Sequence, residues 1–328
     1  MVKVQSSRRR RGSSKAAKVK VNSFVVGVDG GGTKTAAALA DARGKIIARA
    51  VSAGSSVRNA GIKLAAENVA KAIYDLIKRR KNIKIASTFI GLPAMEEECK
   101  NKKAAILAEL KKHKNIAAIF AGKVEIGSDQ LVAFRAGSYA KDGIVAIAGT
   151  GCAIHGWNGK KEFLANNKGW LASKGSATWI GAQAAQALVE DLEGRGQKTI
   201  LGEMIFAKFK FKDVNDFLTF IYQNPASNLP QFAPVCDHAA SRKDKIAQEI
   251  LVAAGKEIAR AVIAAAQKLD FCEPAPLVLA GGVYKSRMVA DSAANEIERR
   301  YPGKFDFVFI DDPAVGAIKI ALEAIRSK

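Results

Sequence analysis

The sequence predicts an α/β protein built from two related halves. Three observations carry that prediction. The chain, at 328 residues, is long enough for two cores. Its apolar runs and amphipathic stretches begin in the order βββαβαβα, and each half opens on a strand, a glycine turn and a second strand.

The first half begins at Ser23. Phe24 to Val28 is a short apolar run, the turn Asp29 to Thr35 follows, and Ala36 to Ala42 and Ile46 to Val51 complete three strands separated by turns. Ala65, Val69, Ala72, Ile73, Leu76 and Ile77 then recur at helical spacing, with Lys63, Glu67, Lys71, Asp75 and Lys78 on the other face. Residues 83–92 read as a strand, Lys102 to Lys114 as a Lys-rich helix, and Lys123 to Gly127 as another strand. Ile144 to Ile147, the turn Ala148-Gly-Thr-Gly151 and Cys152 to Trp157 repeat the opening layout. Long helical patterns dominate after Gly175, notably Ala177 to Glu190 and Lys243 to Leu269. Leu277 to Val283 returns to strand and turn, and Ala314 to Arg326 closes the chain as a helix. The expected division is a basic tail over 1–22, an N-terminal domain over 23–140 and a C-terminal domain with helical additions over 141–328.

Composition narrows the function classes. An apolar share of 48% fits a globular chain, and no window of 18 consecutive apolar residues is present, so a membrane span is not expected. The four cysteines, Cys99, Cys152, Cys236 and Cys272, form no CxxC pair and read as reduced thiols in a cytoplasmic protein. His113, His155 and His238 are equally scattered and read as structural or surface residues. The formal charge of +21 is unusual. Eight cations, Lys3, Arg8, Arg9, Arg10, Arg11, Lys15, Lys18 and Lys20, sit in the first 22 residues without one acid. That stretch is expected to be disordered and to touch polyanions non-specifically. It overlaps in composition with organellar transit segments but lacks the apolar core of a secretory signal. The rest keeps +13, spread over Lys-rich helices, and reads as a solvated basic surface.

Chemistry points to the glycine turns. Consecutive glycines after a strand let the backbone approach a ligand, and their N–H groups can cradle phosphate oxygens. Gly30, Gly31, Gly32, Thr33, Lys34 and Thr35 make one such turn, and Asp29 at the strand end can hold the water shell of Mg²⁺. A plain hairpin turn would look the same, and the spacing is not that of a P-loop. Gly149, Thr150 and Gly151 supply a second turn. Gly281 and Gly282 supply a third, where an adenosine could rest on bare backbone. Three such turns in one chain are more specific than any alone.

These residues resemble the BadF/BadG/BcrA/BcrD-type ATPases, within them the N-acetylglucosamine kinase-like branch, from Ser23 to Ile325. The run ending Val-Asp-Gly-Gly-Gly-Thr-Lys-Thr35 resembles the family's first phosphate motif, Ala148 to Gly151 the second and Leu279 to Val283 the adenosine motif. Gly175 to Gly181, Asp191 to Gly196 with Thr199 and Leu201, Phe232 to Val235, and Pro313 to Ala317 add support. The resemblance implies two ribonuclease H-like (actin-like ATPase) domains with ATP and Mg²⁺ in the cleft between them. It implies a small sugar, N-acetylglucosamine or a related amino sugar, as acceptor; a homodimer is the expected assembly. It also makes Asp129 the base for the acceptor hydroxyl, although Ser128-Asp129 before Leu131 would equally suit a helix cap. Asn59 is the candidate sugar-binding asparagine, with a simple turn asparagine as the alternative.

The chain departs from the family at one place. Where the family reads GDEGS, this sequence reads Ala172-Ser-Lys-Gly-Ser176, so Ser173 stands where an acid should meet the sugar, and Lys174 replaces the neighbouring acid. Ser173 is kept as a sugar contact without charge assistance, and Lys174 at the pocket mouth should disfavour free amines. Two rivals to a sugar kinase follow. One is an ATPase activator of a radical dehydratase, which would need paired cysteines for an iron–sulfur cluster. The other is a sugar or nucleotide sensor without turnover.

Overall fold

The computed structural model describes residues 23–326 apart from 81, 94, 96–99, 167, 170 and 171, and the side chains of Asn59 and Lys100 lie outside the description. The expectation of a disordered tail over 1–22 and the thiol of Cys99 therefore fall outside the described residues.

The first half forms β1 (Phe24–Gly30), β2 (Lys34–Asp41), β3 (Ile46–Ala53), α1 (Val57–Ile77), β4 (Ile85–Leu92), α2 (Lys100–Lys111), β5 (Lys123–Ser128) and α3 (Asp129–Gly137). A 3₁₀ turn over Lys114–Ala121 links α2 to β5, so the Lys-rich helix ends before the expected Lys114. The second half forms β6 (Gly143–Ala148), β7 (Cys152–Asn158) and β8 (Lys161–Ala165). It continues through α4 (Ala177–Leu192), α5 (Leu201–Phe209), α6 (Val214–Gln223), α7 (Pro225–Asn228), α8 (Ala233–Ser241) and α9 (Lys245–Leu269). It ends with β9 (Ala275–Ala280), α10 (Arg287–Arg300), β10 (Phe305–Ile310) and α11 (Ala314–Arg326).

The repeat in layout becomes a repeat in topology. One sheet has the order β3-β2-β1-β4-β5, and the other, read from its far edge, β8-β7-β6-β9-β10. In both, the first three strands are antiparallel neighbours and the last two join in parallel. Strands β8 and β10 complete the second sheet beyond the sequence expectation. The central strand β1 buries Val25, Val26 and Val28 fully, as a strand covered on both faces must. Strand β3 alternates partly buried and exposed residues at the edge.

Helix α9 shows how sequence sets an element's limits. Lys243 adopts φ 69°, and the Asp244 carboxylate then accepts from Ala247 N at 2.8 Å, so the helix starts at Lys245 rather than Lys243. Ala254, Ile258, Val262, Ala265 and Leu269 form its fully buried stripe, and Asp270 ends it at φ 53°.

The closing helix crosses the expected domain division. Ala314, Ala317, Ile318, Ala321 and Leu322 of α11 are buried against Val25, Ala38, Ala40 and Phe89 of the first sheet. Burying an Ile or Leu side chain contributes about 1.5–3 kcal/mol, so this face holds α11 on the N-terminal half although it follows the C-terminal sheet. The approach is close: a Cβ on Gly316 would lie 1.8 Å from the Val132 carbonyl of α3. Helix α3 in turn touches both halves, with Val132 in the first cluster and Ala133 and Phe134 against Val145, Val278 and Ala280 of the second sheet. The chain between 23 and 140 is thus completed by its last helix, and α3 lies between the sheets.

Candidate active site

The glycine turns lie at corresponding ends of the two sheets, β1–β2 in one and β6–β7 in the other, and they meet. Thr33 Oγ1 lies 3.1 Å from Thr150 Oγ1, a contact between residues 117 positions apart. Glycine makes this geometry possible. A Cβ on Gly54, at the end of β3, would stand 2.2 Å from the Gly32 carbonyl, and Ser55 N donates to Gly31 O at 3.0 Å. The first turn is therefore supported from below by the segment that joins β3 to α1. Within it, Gly31 N donates to Lys34 O at 2.8 Å, and Gly32, Thr33 and Lys34 are exposed.

Two predicted ligands are placed differently. Gly30 faces inward, where a Cβ would meet Ser55 Oγ at 2.3 Å and Leu92 at 2.4 Å. Thr35 is fully buried, and its hydroxyl donates to Ala53 O at 2.7 Å with Ser55 Oγ 2.8 Å away. Thr35 fastens the turn to β3 and Gly30 packs against Ser55 and Leu92, so Gly31, Gly32, Thr33 and Lys34 are the turn's more accessible members.

The second turn is tied to α4. Ala177 N donates to Gly149 O at 2.8 Å, and Thr178 Oγ1 donates to Thr150 O at 2.7 Å, so the helix N-terminus satisfies the turn's carbonyls. Ser176 caps the same helix by accepting from Trp179 N. The third turn abuts the second. Gly281, at φ 108°, would place a Cβ 2.2 Å from the Ala148 carbonyl. Gly149 and Gly282 open onto free space, with nothing within 4 Å of where a Cβ would stand. Beside Gly282, the buried hydroxyls of Tyr284 and Ser286 have no hydrogen-bond partner among the described residues. Buried polar groups are seldom left so.

Asp29 ends β1 beneath the first turn. The residue is partly exposed, but its carboxyl is walled in. Burial, and after it Asp312 on the loop before α11, push its pKa up to about 7 against the opposing Lys34. Asp312 also pairs with Arg49 of β3 at 2.6 Å. Sequence reasoning missed Asp312, because nothing local marks an acid 283 positions away as a neighbour of Asp29. Among the described residues, no group of three or more His, Cys, Asp or Glu forms a metal cluster.

Asp129 opens α3 at the end of β5. Ser128 is the N-cap, accepting from Gln130 N at 3.0 Å. The cap role that competed for Asp129 thus belongs to its neighbour. Asp129 is partly buried. Asn59 lies in the first turn of α1, before a break at Gly61 (φ 74°, ψ 168°). Arg58, next to it, reaches the loop of the second half: its Nη1 is 3.3 Å from where a Cβ of Gly169 would stand.

Ser173, expected as a sugar contact, lies inside its loop. It is 3% exposed, and its hydroxyl donates to Gly169 O at 2.6 Å and approaches Asn166 O and Cys152 O. A hydroxyl so used braces the loop from inside, 3.6 Å from where a Cβ of Gly151 would stand. Lys174 and Lys168 are exposed on the same loop. The thiols of Cys152 and Cys236 are buried, with burial pushing their pKa values up to about 11 and about 12, and Cys272 is exposed.

Known proteins share this fold. The chain is 27% identical to the N-acetyl-D-glucosamine kinase of Dictyostelium discoideum, over 91% of this chain and 98% of that protein. It is 26% identical to the N-acetylmuramic acid/N-acetylglucosamine kinase of Clostridium acetobutylicum, with the same coverage. In fold it is similar to a Chromobacterium violaceum protein solved under the provisional name N-acetylglucosamine kinase, with a TM-score of 0.70, 22% identity and coverage of 91% and 98%. A ROK family glucokinase from Streptomyces griseus, in complex with glucose and AMPPNP, gives a TM-score of 0.61 at 17% identity and coverage of 92% and 99%. The family model for BadF/BadG/BcrA/BcrD ATPases matches residues 26–321, nearly the whole described chain, and the protein belongs to that family.

Proposed function

We propose that this chain is an ATP-dependent kinase that phosphorylates a hydroxyl of a small N-acetylated sugar. The observation that carries the reading is the meeting of the two phosphate-type turns, Thr33 against Thr150, with the open Gly149 and Gly282 beside them. Phosphoryl transfer needs positioning, charge neutralisation and one carboxylate to orient the nucleophile. Gly31, Gly32, Thr33 and Lys34 would hold phosphate oxygens from one side, and Gly149, Thr150 and Gly151 from the other. Gly281 and Gly282 would receive the adenosine, with the orphaned Tyr284 and Ser286 hydroxyls near it. Asp29, with Asp312 beside it, fits the water shell of Mg²⁺: a carboxyl held near pKa 7 by burial regains its charge when a cation arrives. Bound Mg²⁺ would supply neutralisation of the phosphate charge. Asp129 would take the acceptor proton.

The acceptor pocket is read from the loop around Gly169 and the start of α1, where Asn59 stays the candidate sugar contact. Arg58 meets this loop at Gly169, Lys168 and Lys174 are exposed on it, and none of the three makes an ion pair among the described residues. In a partly dry cleft these cations repel a protonated amine and attract a carboxylate. Neutral N-acetylated sugars or acidic ones therefore fit better than free amino sugars. The names of the two relatives support this, since N-acetylmuramic acid carries both features.

ATP consumption with N-acetylglucosamine, N-acetylmuramic acid, glucosamine and glucose tests the reading. The N-acetylated sugars should support the highest kcat/KM, and Lys174→Glu should lower the ratio of acidic to neutral acceptor. Tight binding of ATP and sugar without product from any of the four would instead favour a sensor.

A further inference from the structure

His155, which sequence reasoning set aside as structural, lies at the junction of the two halves. It is 2% exposed on β7, and its ring nitrogens face two oxygens: Nδ1 is 2.7 Å from Gln130 Oε1, and Nε2 is 2.6 Å from Glu162 Oε1. Gln130 is the residue after Asp129, is itself 2% exposed, and has its backbone N–H taken by the Ser128 cap. Glu162 is on β8, the partner strand of β7, with a side chain 54% exposed. The ring also lies tilted by 30° against Trp157 at 4.0 Å between centroids, and Trp157 meets Phe134 of α3 at 5.3 Å.

The consequence follows from where these residues sit. The first turn of α3, which carries Asp129, belongs to the first half. The β7–β8 hairpin starts directly after the second phosphate turn and belongs to the other. We infer that His155 is a positioning residue for the phosphotransfer. Held by Glu162, it donates through Nδ1 to Gln130 and so fixes the first turn of α3, and with it the Asp129 carboxylate, relative to the turn Ala148–Gly151. The inference rests on the kinase reading given above. An amide oxygen and an ionised carboxylate can only accept, so both contacts are satisfied together when the ring donates from both nitrogens. Gln130 Oε1 otherwise keeps only a long contact from the Ser128 hydroxyl at 3.4 Å, so His155 is its short donor. Displacement of a reacting group by about 1 Å can cost about 10²-fold in rate, which makes such a tie worth keeping at a domain junction.

The test separates hydrogen bonding from packing. His155→Asn keeps a donor near the Nδ1 position, toward Gln130. His155→Gln keeps one near Nε2, toward Glu162. His155→Phe keeps only the ring against Trp157. With N-acetylglucosamine and MgATP, His155→Phe and His155→Gln should lower kcat about 10- to 100-fold with KM for ATP within about twofold, whereas His155→Asn should lose no more than about threefold. Glu162→Ala, at the exposed end, should lower kcat less than His155→Phe while leaving the melting temperature close to wild type. If His155→Phe does not fold, the ratio of the Asn to the Gln variant decides: a ratio of about five or more supports the tie. Equal kcat in those two variants overturns the inference, as does a kcat that falls only in step with melting temperature. A wild-type protein without sugar phosphorylation sinks the kinase reading, and this inference with it. An active wild type with indifferent variants sinks the inference alone.

Discussion

Replacing Asp29 by Asn separates the cost of burying this carboxylate from what it does for a bound metal–nucleotide. Before a cation arrives, burial and Asp312 lift its pKa from 3.8 to about 7. A pKa unit corresponds to about 1.4 kcal/mol, so holding Asp29 ionised in the fold costs about 4 kcal/mol. The sign follows from the raised folded value. The protonated form's favourable share is fully present below the unfolded pKa of 3.8 and is lost as pH climbs through about 7. Between pH 5 and pH 8 the wild type should therefore lose about 3 kcal/mol that Asp29→Asn does not lose. At about 2 °C per kcal/mol for a chain of this size, the melting temperature of the variant in chelator-containing buffer should gain about 6 °C on the wild type over that range. Saturating MgATP should reverse the order at pH 8, protecting the wild type and leaving the variant nearly unmoved. A gap that stays constant with pH, together with equal protection by MgATP, would refute both the buried environment and the metal role.

Three other changes test the site. Asp129→Asn should lower kcat about 10²-fold with ATP affinity within about twofold, read by steady-state kinetics and nucleotide titration; because Ser128 is the cap, its melting temperature should hardly move. Gly54→Ala puts a methyl 2.2 Å from the Gly32 carbonyl and should displace the first phosphate turn, raising KM for ATP about tenfold or more, while an unchanged KM would show that the turn does not touch the nucleotide. Ser173→Asp places a charge at a position 3% exposed and should lower stability by about 3 kcal/mol or more in a denaturant melt; a stable variant with altered sugar preference would return Ser173 to the acceptor pocket.

Much of the fold was legible because its signals are local. The valines of β1, the helical stripe of α9 and the glycine turns announce themselves within a few residues. Strands β8 and β10 were not legible: Lys161–Ala165 is short and opens on two charged residues, and its register comes from β7 rather than from its own pattern. The site divides the same way. The turns could be found from glycine and threonine spacing, but a glycine run does not say which member faces the ligand. Only the approach of Ser55 and Leu92 to Gly30, and the bonding of Thr35 to β3, turns those two inward. Asp312 and His155 carry no local signal, since what gives each of them a role is a partner brought over by the fold.

The duplication explains why these long-range partners gather in one place. Two sheets with the same strand order present their glycine turns at equivalent ends, so bringing those ends together opposes two phosphate-type turns without any further device. What remains is to keep the halves in register. Two helices do this from opposite directions: α11 returns from the second sheet to pack on β1 and β2, carrying Asp312 toward Asp29 at its start, and α3 leaves the first sheet to lie on the second, carrying Asp129 at its start. They touch at Gly316 and Val132, where only glycine allows the contact. The acid read as a metal partner and the acid read as the base thus stand at the beginnings of the two helices that cross between the halves. A shift of one half against the other would therefore displace both acids at once, and any closure of the cleft would act on both.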